Sequence, residues 1–121
     1  MKKGRVKYTL RNDDLVTEYE GNCLFHEGKN ILIYKEQNEM EVMLELDRLI
    51  LTRENQEMFL LLDFYGGESY VLMKKLDKKM PMIVTVYKKE LTNNRLSVSY
   101  SLSSDNVFQF DIEWILEGDY S

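Results

Sequence analysis

Glu39, Glu41, Glu45 and Asp47 recur along "EMEVMLELD", a stretch whose alternate residues Met40, Val42, Leu44 and Leu46 are apolar. Residues two apart on one strand face stand about 7 Å from each other, so two such carboxylates could share a cation or work as acid and base. Acid/base chemistry also demands that one carboxylate be partly desolvated, so that it keeps its proton near neutrality. In this stretch the apolar set defines the inward face, and the carboxylates turn to water with Lys35 beside Glu41. The row reads as the wet side of a strand, and Glu18 and Glu20 in "EYEGN" read the same way.

Other chemistry finds less support. One cysteine, Cys23, and one histidine, His26, exclude zinc sites of the usual Cys/His type and any internal disulfide. His26 falls in the turn "HEGKN" and reads as solvent-exposed. Cys23 lies within strand patterning as a small buried apolar residue. The serines of "SVSYSLSS" are the polar alternation of a strand and lack a nucleophile elbow. "YGGE" lacks the Lys and Ser/Thr of a phosphate loop. The expectation is a protein with no catalytic residues, no metal site and no cofactor, hence not an enzyme.

The elements that must hold any site are strands. Apolar residues recur with period two almost throughout, and the one proline is Pro81. About ten strands follow: "RVKYTLR", "LVTEYEGNCLF", "ILIYKE", "EMEVMLELD", "RLILTRE", "EMFLLLDFY", "SYVLMKKL", "PMIVTVYKKEL", "RLSVSYSLS" and "VFQFDIEWILE". Gly21 marks a bulge or sharp bend. Asn12-Asp13, Asn55-Gln56, Gly66-Gly67, Asn93-Asn94 and Ser104-Asp105-Asn106 supply turns. Short links join antiparallel neighbours, and closing the meander removes its edges. The fold expected is all-β, an antiparallel up-and-down closed barrel of eight to ten strands, one domain over residues 1–121.

Registers read from the turns point to an interior site. A three-residue loop Gln37–Glu39 sets Glu36 opposite Met40, Lys35 opposite Glu41, Tyr34 opposite Val42 and Leu32 opposite Leu44. A two-residue turn Asn55-Gln56 sets Arg53 opposite Met58, Leu51 opposite Leu60 and Leu49 opposite Leu62. Leu49 and Leu51 define the inward face, so Arg53 points inward as well. An inward charge needs a counter-charge, water or a ligand, and Glu36 is the nearest opposite charge. Tyr8 and Tyr100 lie on the apolar faces of their own strands, and Tyr34, Glu36, Arg53 and Tyr100 are the candidate ligand-binding residues, in a cavity of apolar walls and few polar tips. The competing reading has Arg53 and Glu36 closing a barrel filled by side chains.

Met43 breaks the carboxylate row and faces outward beside Ile33. Ile50, Phe59 and Leu61 also face outward, so "MFLLL" is apolar on both sides, and such a strand is buried on both. With no helix to cover it, the expected cover is a second subunit. Met43, Ile50, Phe59 and Leu61 are the candidate interface of a homodimer.

The 121 residues, with 44% hydrophobic and 31% charged, fit one globular core with no apolar run long enough to span a bilayer. Met1-Lys2-Lys3-Gly4-Arg5 lacks the apolar stretch of a signal peptide, so a soluble cytoplasmic location is expected, without membrane contact. A net charge of -5 argues against nucleic acid. Lys74, Lys75, Lys78, Lys79, Lys88, Lys89 and Arg95 form a basic segment, read as protection of strand edges.

"YEGNCLFHEGKNILIYKE", "LILTRE" and "MPMIVTVYKKELTNNRLSVSYSLSSDNVFQFDIEW" resemble, in order and spacing, the uncharacterised YwiB-like family of small bacterial proteins. The shared motifs are Glu20-Gly21, Tyr34-Lys35-Glu36, Leu-Thr-Arg ending in Arg53, Pro81-Met82 and Tyr100. That family is similar to the calycins, so the resemblance implies a lipocalin-like closed barrel. It assigns no activity. The leading expectation is a non-enzymatic, lipocalin-like barrel binding a small, partly apolar ligand, either anionic or neutral. The alternative is a protein-interaction module that uses its outer strands around a filled core.

Overall fold

The computed structural model describes residues 1–103 and 106–117. Eleven strands follow one another: β1 (Lys2–Asn12), β2 (Leu15–His26), β3 (Ile31–Lys35), β4 (Glu41–Glu45), β5 (Ile50–Glu54), β6 (Met58–Asp63), β7 (Ser69–Met73), β8 (Lys78–Met82), β9 (Val84–Leu91), β10 (Arg95–Leu102) and β11 (Val107–Leu116). Two single turns of 3₁₀ helix, Gln37–Glu39 and Lys74–Leu76, interrupt them, and no α-helix occurs among the described residues. The sheet order β8-β7-β6-β5-β4-β3-β2-β1-β11-β10-β9 makes a nearly closed antiparallel barrel. The two end strands are consecutive in the chain and parted by Ile83 alone. Ile83 is tied to the β10 end, donating its N–H to Ser103 Oγ and accepting from the Ser103 N–H at 2.9 Å each.

Eleven strands replace the ten expected because "PMIVTVYKKEL" divides at Ile83, and "SYVLMKKL" turns into the 3₁₀ element at Lys74. Asp77, at φ 46°, takes the left-handed conformation that ends this turn. The first hairpin turns at Asp13-Asp14, one residue beyond the expected Asn12-Asp13, and pairs Asn12 with Leu15. Of the expected turn Ser104-Asp105-Asn106, residues 104 and 105 lie outside the described residues. The lysines of the basic segment fall mainly on and around β8 and β9, the edge strands, where positive charge discourages pairing with another chain.

The inward faces alternate as the sequence demands. Val6, Leu32, Val42, Leu44, Leu96, Val98 and Ile112 are essentially sealed, and Trp114, Leu116, Leu46, Leu49 and Phe64 complete the packed interior. Burial of a leucine or isoleucine side chain contributes about 1.5–3 kcal/mol each, which is what holds the sheet curled. Cys23 is buried in this wall, as expected of a small apolar side chain. His26 ends β2 opposite Ile31 and is half-buried, a correction to the exposed turn position: the strand runs one residue further than its turn composition suggests.

Gly21 has a different reason from a bulge. The ladder from β1 to β2 runs through Val6 and Gly21 without interruption. A Cβ on Gly21 would collide with the Tyr19 hydroxyl, because the Tyr19 ring lies across it to reach the Lys35 carbonyl oxygen. The bulge is in the β9–β10 pair, where the register shifts between Ser99 and Tyr100.

Candidate functional site

Glu36 continues the β3 alternation for one residue past its end. Its extended backbone, φ -96° and ψ -175°, keeps it on the side of Leu32 and Tyr34. The loop Gln37–Glu39 then turns the chain, Glu39 taking φ 55°, and the Glu36 N–H donates to the Met40 carbonyl at 2.8 Å. Every pair expected from the three-residue loop is formed. Arg53 faces inward on β5, between Val42 and Leu60.

The partner of Arg53 across β6 is Leu60 and not the expected Met58, because Gln56 and Glu57 form the turn. Asn55 sets it there: its Oδ1 accepts from the N–H groups of Glu57 at 2.8 Å and Met58 at 3.0 Å. The register slips by two residues, which leaves every side chain on its expected face.

Arg53 Nη2 donates to Glu36 Oε2 at 2.8 Å, with the two side chains 32% and 12% exposed. Arg53 Nε is buried without a partner. Tyr8 also faces Glu36. Burial, then the Glu36 charge and hydrogen-bonding interaction with its carboxylate, push the Tyr8 phenol up to about 12. Burial raises Tyr100 to about 12 as well, with Arg53 pulling the other way. The Tyr100 ring stacks on Phe108 at 5.4 Å between centroids, and Tyr8 meets Phe110 at 5.6 Å.

These groups surround a cavity of about 170 Å³ lined by Tyr8, Leu10, Glu36, Leu51, Arg53, Leu60, Leu62, Tyr100, Leu102, Phe108 and Phe110. Of the sequence candidates, Glu36, Arg53 and Tyr100 line it. Tyr34 lies behind its wall, its ring 6.1 Å from Tyr8 and stacked on Tyr19 at 5.6 Å, and burial raises its phenol well above the usual range. Tyr8, expected with Tyr100 to give the cavity its polar tips, lines it as well, and Leu10, Phe108 and Phe110 are the wall residues that sequence reasoning did not place. Their inward parity was visible, but their approach to Glu36 and Arg53 depends on how β1 and β11 sit across the curled sheet.

A larger depression, about 630 Å³, lies where β2 and β3 diverge, lined by Lys3, Asn22, Lys35, Glu41 and Glu117 among others. Its charged residues are spread over an open surface, whereas those of the smaller cavity converge among aromatic rings. Convergent polar groups in an apolar enclosure are the better mark of a small-molecule site.

The carboxylate row faces outward as expected and is engaged in local bonds. Glu45 accepts from both Nε and Nη2 of Arg48 at 2.8 Å, which lowers its pKa, and Asp47 Oδ1 accepts from Asn30 Nδ2 at 2.9 Å. No three His, Cys, Asp or Glu side chains gather into a metal-binding group among the described residues. No helix is long and apolar enough to cross a membrane.

The outer interface candidates form part of one cross-strand row. Leu24, Ile33, Met43, Thr52, Leu61, Tyr70 and Pro81 are neighbours in turn from β2 to β8. Ile50 lies beside it on β5 and Phe59 on β6, where the Phe59 ring meets Tyr70 at 5.8 Å.

Fold and cavity together define the class: an all-β, nearly closed antiparallel barrel with an apolar cavity and one ion pair in its wall. Among solved structures it is similar to the YwiB protein from Bacillus subtilis, with a TM-score of 0.55 over 93% of this chain and 88% of that one. Sequence identity between them is 13%, so the likeness is one of fold. No protein-family model matches the chain, and no curated protein matches its sequence.

Proposed function

We propose that the protein is a lipocalin-like, non-enzymatic carrier or sensor of a small, partly apolar ligand, held in the cavity bounded by Tyr8, Glu36, Arg53 and Tyr100. The observation that carries this reading is the convergence of an arginine, a carboxylate and two phenols on an otherwise apolar cavity of about 170 Å³. A dry apolar cavity of about 150 Å³ accommodates benzene, so the ligand is of single-ring size. Apolar burial supplies affinity and Arg53 supplies orientation. Native mass spectrometry of protein isolated from its host is expected to show a retained small molecule, lost in Arg53→Met. A ligand retained equally by Arg53→Met would overturn the assignment of the site.

A second reading is favoured by the contrast between the two outer faces. Around β10, β11 and β1 the outside carries a polar network, flanked by the exposed Val107 and Ile115: Gln109 Nε2 donates to Ser97 Oγ at 3.0 Å and to Asp111 Oδ2 at 3.2 Å, and Arg5 Nη1 donates to Asn22 at 2.9 Å. Across β3 to β7 the outside is the apolar row. We infer that Met43, Ile50, Phe59 and Leu61 pack against a second copy, as a homodimer in the cytoplasm. Sedimentation velocity is the test, and a monomer at micromolar concentration would remove this reading.

A further inference from the structure

Glu36 and Arg53 already neutralise one another at the cavity wall, which decides what an anionic ligand meets there. The titratable and charged groups facing Glu36 are Arg53 from β5, Tyr8 from β1, Tyr19 from β2 and Tyr34 from β3. The phenols stay neutral at ordinary pH, so the guanidinium alone supplies positive charge to this group. A ligand carboxylate drawn to Arg53 comes to rest beside the Glu36 carboxylate, the two sharing one cation in a partly desolvated wall. Like charges so placed do not both stay ionised, and such a pair holds one proton between its members.

We propose, resting on the ligand-binding reading above, that the cavity takes up a single-ring carboxylic acid together with one proton, shared between the ligand carboxyl group and Glu36. One ligand oxygen accepts from the Arg53 guanidinium, whose Nη2 is already committed to Glu36. The other ligand oxygen and Glu36 hold the proton between them, and the neutral Tyr8 phenol continues to face Glu36. The ring of the ligand lies against Phe108, Phe110 and Leu60. A primary amide presents the same acceptor and donor to Arg53 and Glu36 and needs no added proton.

Titration calorimetry of the full chain with benzoate and with benzamide, in buffers of different ionisation enthalpy, separates the outcomes. Benzoate is expected to take up about one proton and to lose about tenfold in affinity per pH unit between about pH 6 and about pH 8, whereas benzamide binds independently of pH. Glu36→Gln is expected to bind benzoate without proton uptake. Benzoate bound by the wild-type chain with no proton uptake overturns the linkage and leaves the cavity reading standing. Neither probe binding overturns both.

Discussion

Arg53 and Glu36 meet at 2.8 Å although β3 and β5 are not neighbours: β4 runs between them, and Val42 lies level with Arg53. The pair spans the curled sheet above Val42, so it ties strand positions together as well as balancing charge. Exposed ion pairs contribute about 0–1 kcal/mol, and breaking a buried one costs about 3–5 kcal/mol. At 32% and 12% exposure this pair lies between, and Arg53→Met should cost about 1–2 kcal/mol in urea unfolding. The double change Arg53→Met with Glu36→Leu should recover most of that loss, because no charge is left unpaired.

Core and cavity walls should respond differently to truncation. Leu44 is fully enclosed, and Leu44→Ala is expected to cost about 2–5 kcal/mol. Leu60 already faces the cavity, so Leu60→Ala removes fewer contacts and should cost less in the same urea titration. Equal losses would mean that the cavity closes in solution.

Tyr19→Phe and Gly21→Ala probe one device from two sides. Tyr19→Phe deletes the bond to the Lys35 carbonyl and should cost about 0.5–1.5 kcal/mol. Gly21→Ala displaces the whole ring and should cost more. In the Tyr19→Phe background, Gly21→Ala should be better tolerated, since a ring no longer tied to the Lys35 carbonyl can move off the Cβ position, which its Cζ would otherwise approach to 2.8 Å.

Alkaline stability follows from the phenols. Tyr8 and Tyr100 are raised from 10.0 to about 12, so the unfolded chain releases these protons at lower pH than the folded one. Their contribution is complete below pH 10.0 and is lost as pH rises toward about 12. Unfolding free energy should therefore fall across that window, and ultraviolet difference absorbance should show these phenols ionising only with, or after, loss of the fold. Tyr8→Phe should flatten the fall.

Charge placed on the outer row should act on association without disturbing the core. If the proposed homodimer forms, Met43→Lys with Leu61→Lys is expected to leave circular dichroism nearly unchanged while shifting sedimentation velocity to monomer and removing any concentration dependence of melting. Both side chains are part-exposed, so a lysine can reach water from either position.

The residues show why much of this was legible in the sequence. Period-two alternation fixed the inward face of Val42, Leu44, Leu51 and Arg53, and charge matching of Lys35 with Glu41 selected the right loop. The turn at Asn55 was displaced because an asparagine side chain can cap N–H groups beyond itself, moving the loop one residue along. A slip of two left parity intact, so Arg53 was still on the correct face. Phe108 and Phe110 were a different matter. Their meeting with Glu36 depends on curvature accumulated over many strands, and no local pattern reports it.

A barrel sealed all round by a hydrogen-bonded ladder admits nothing sideways unless a full strand pairing is given up. In this molecule β8 and β9 share no ladder among the described residues, and the wall is completed there by the chain itself passing through Ile83. Two bonds between Ile83 and Ser103 fasten that corner to the β10 end, beside the Val84–Leu102 pair of the β9–β10 ladder. The β8–β9 seam is therefore the stretch of the described wall that is closed by chain continuity instead of by a backbone ladder.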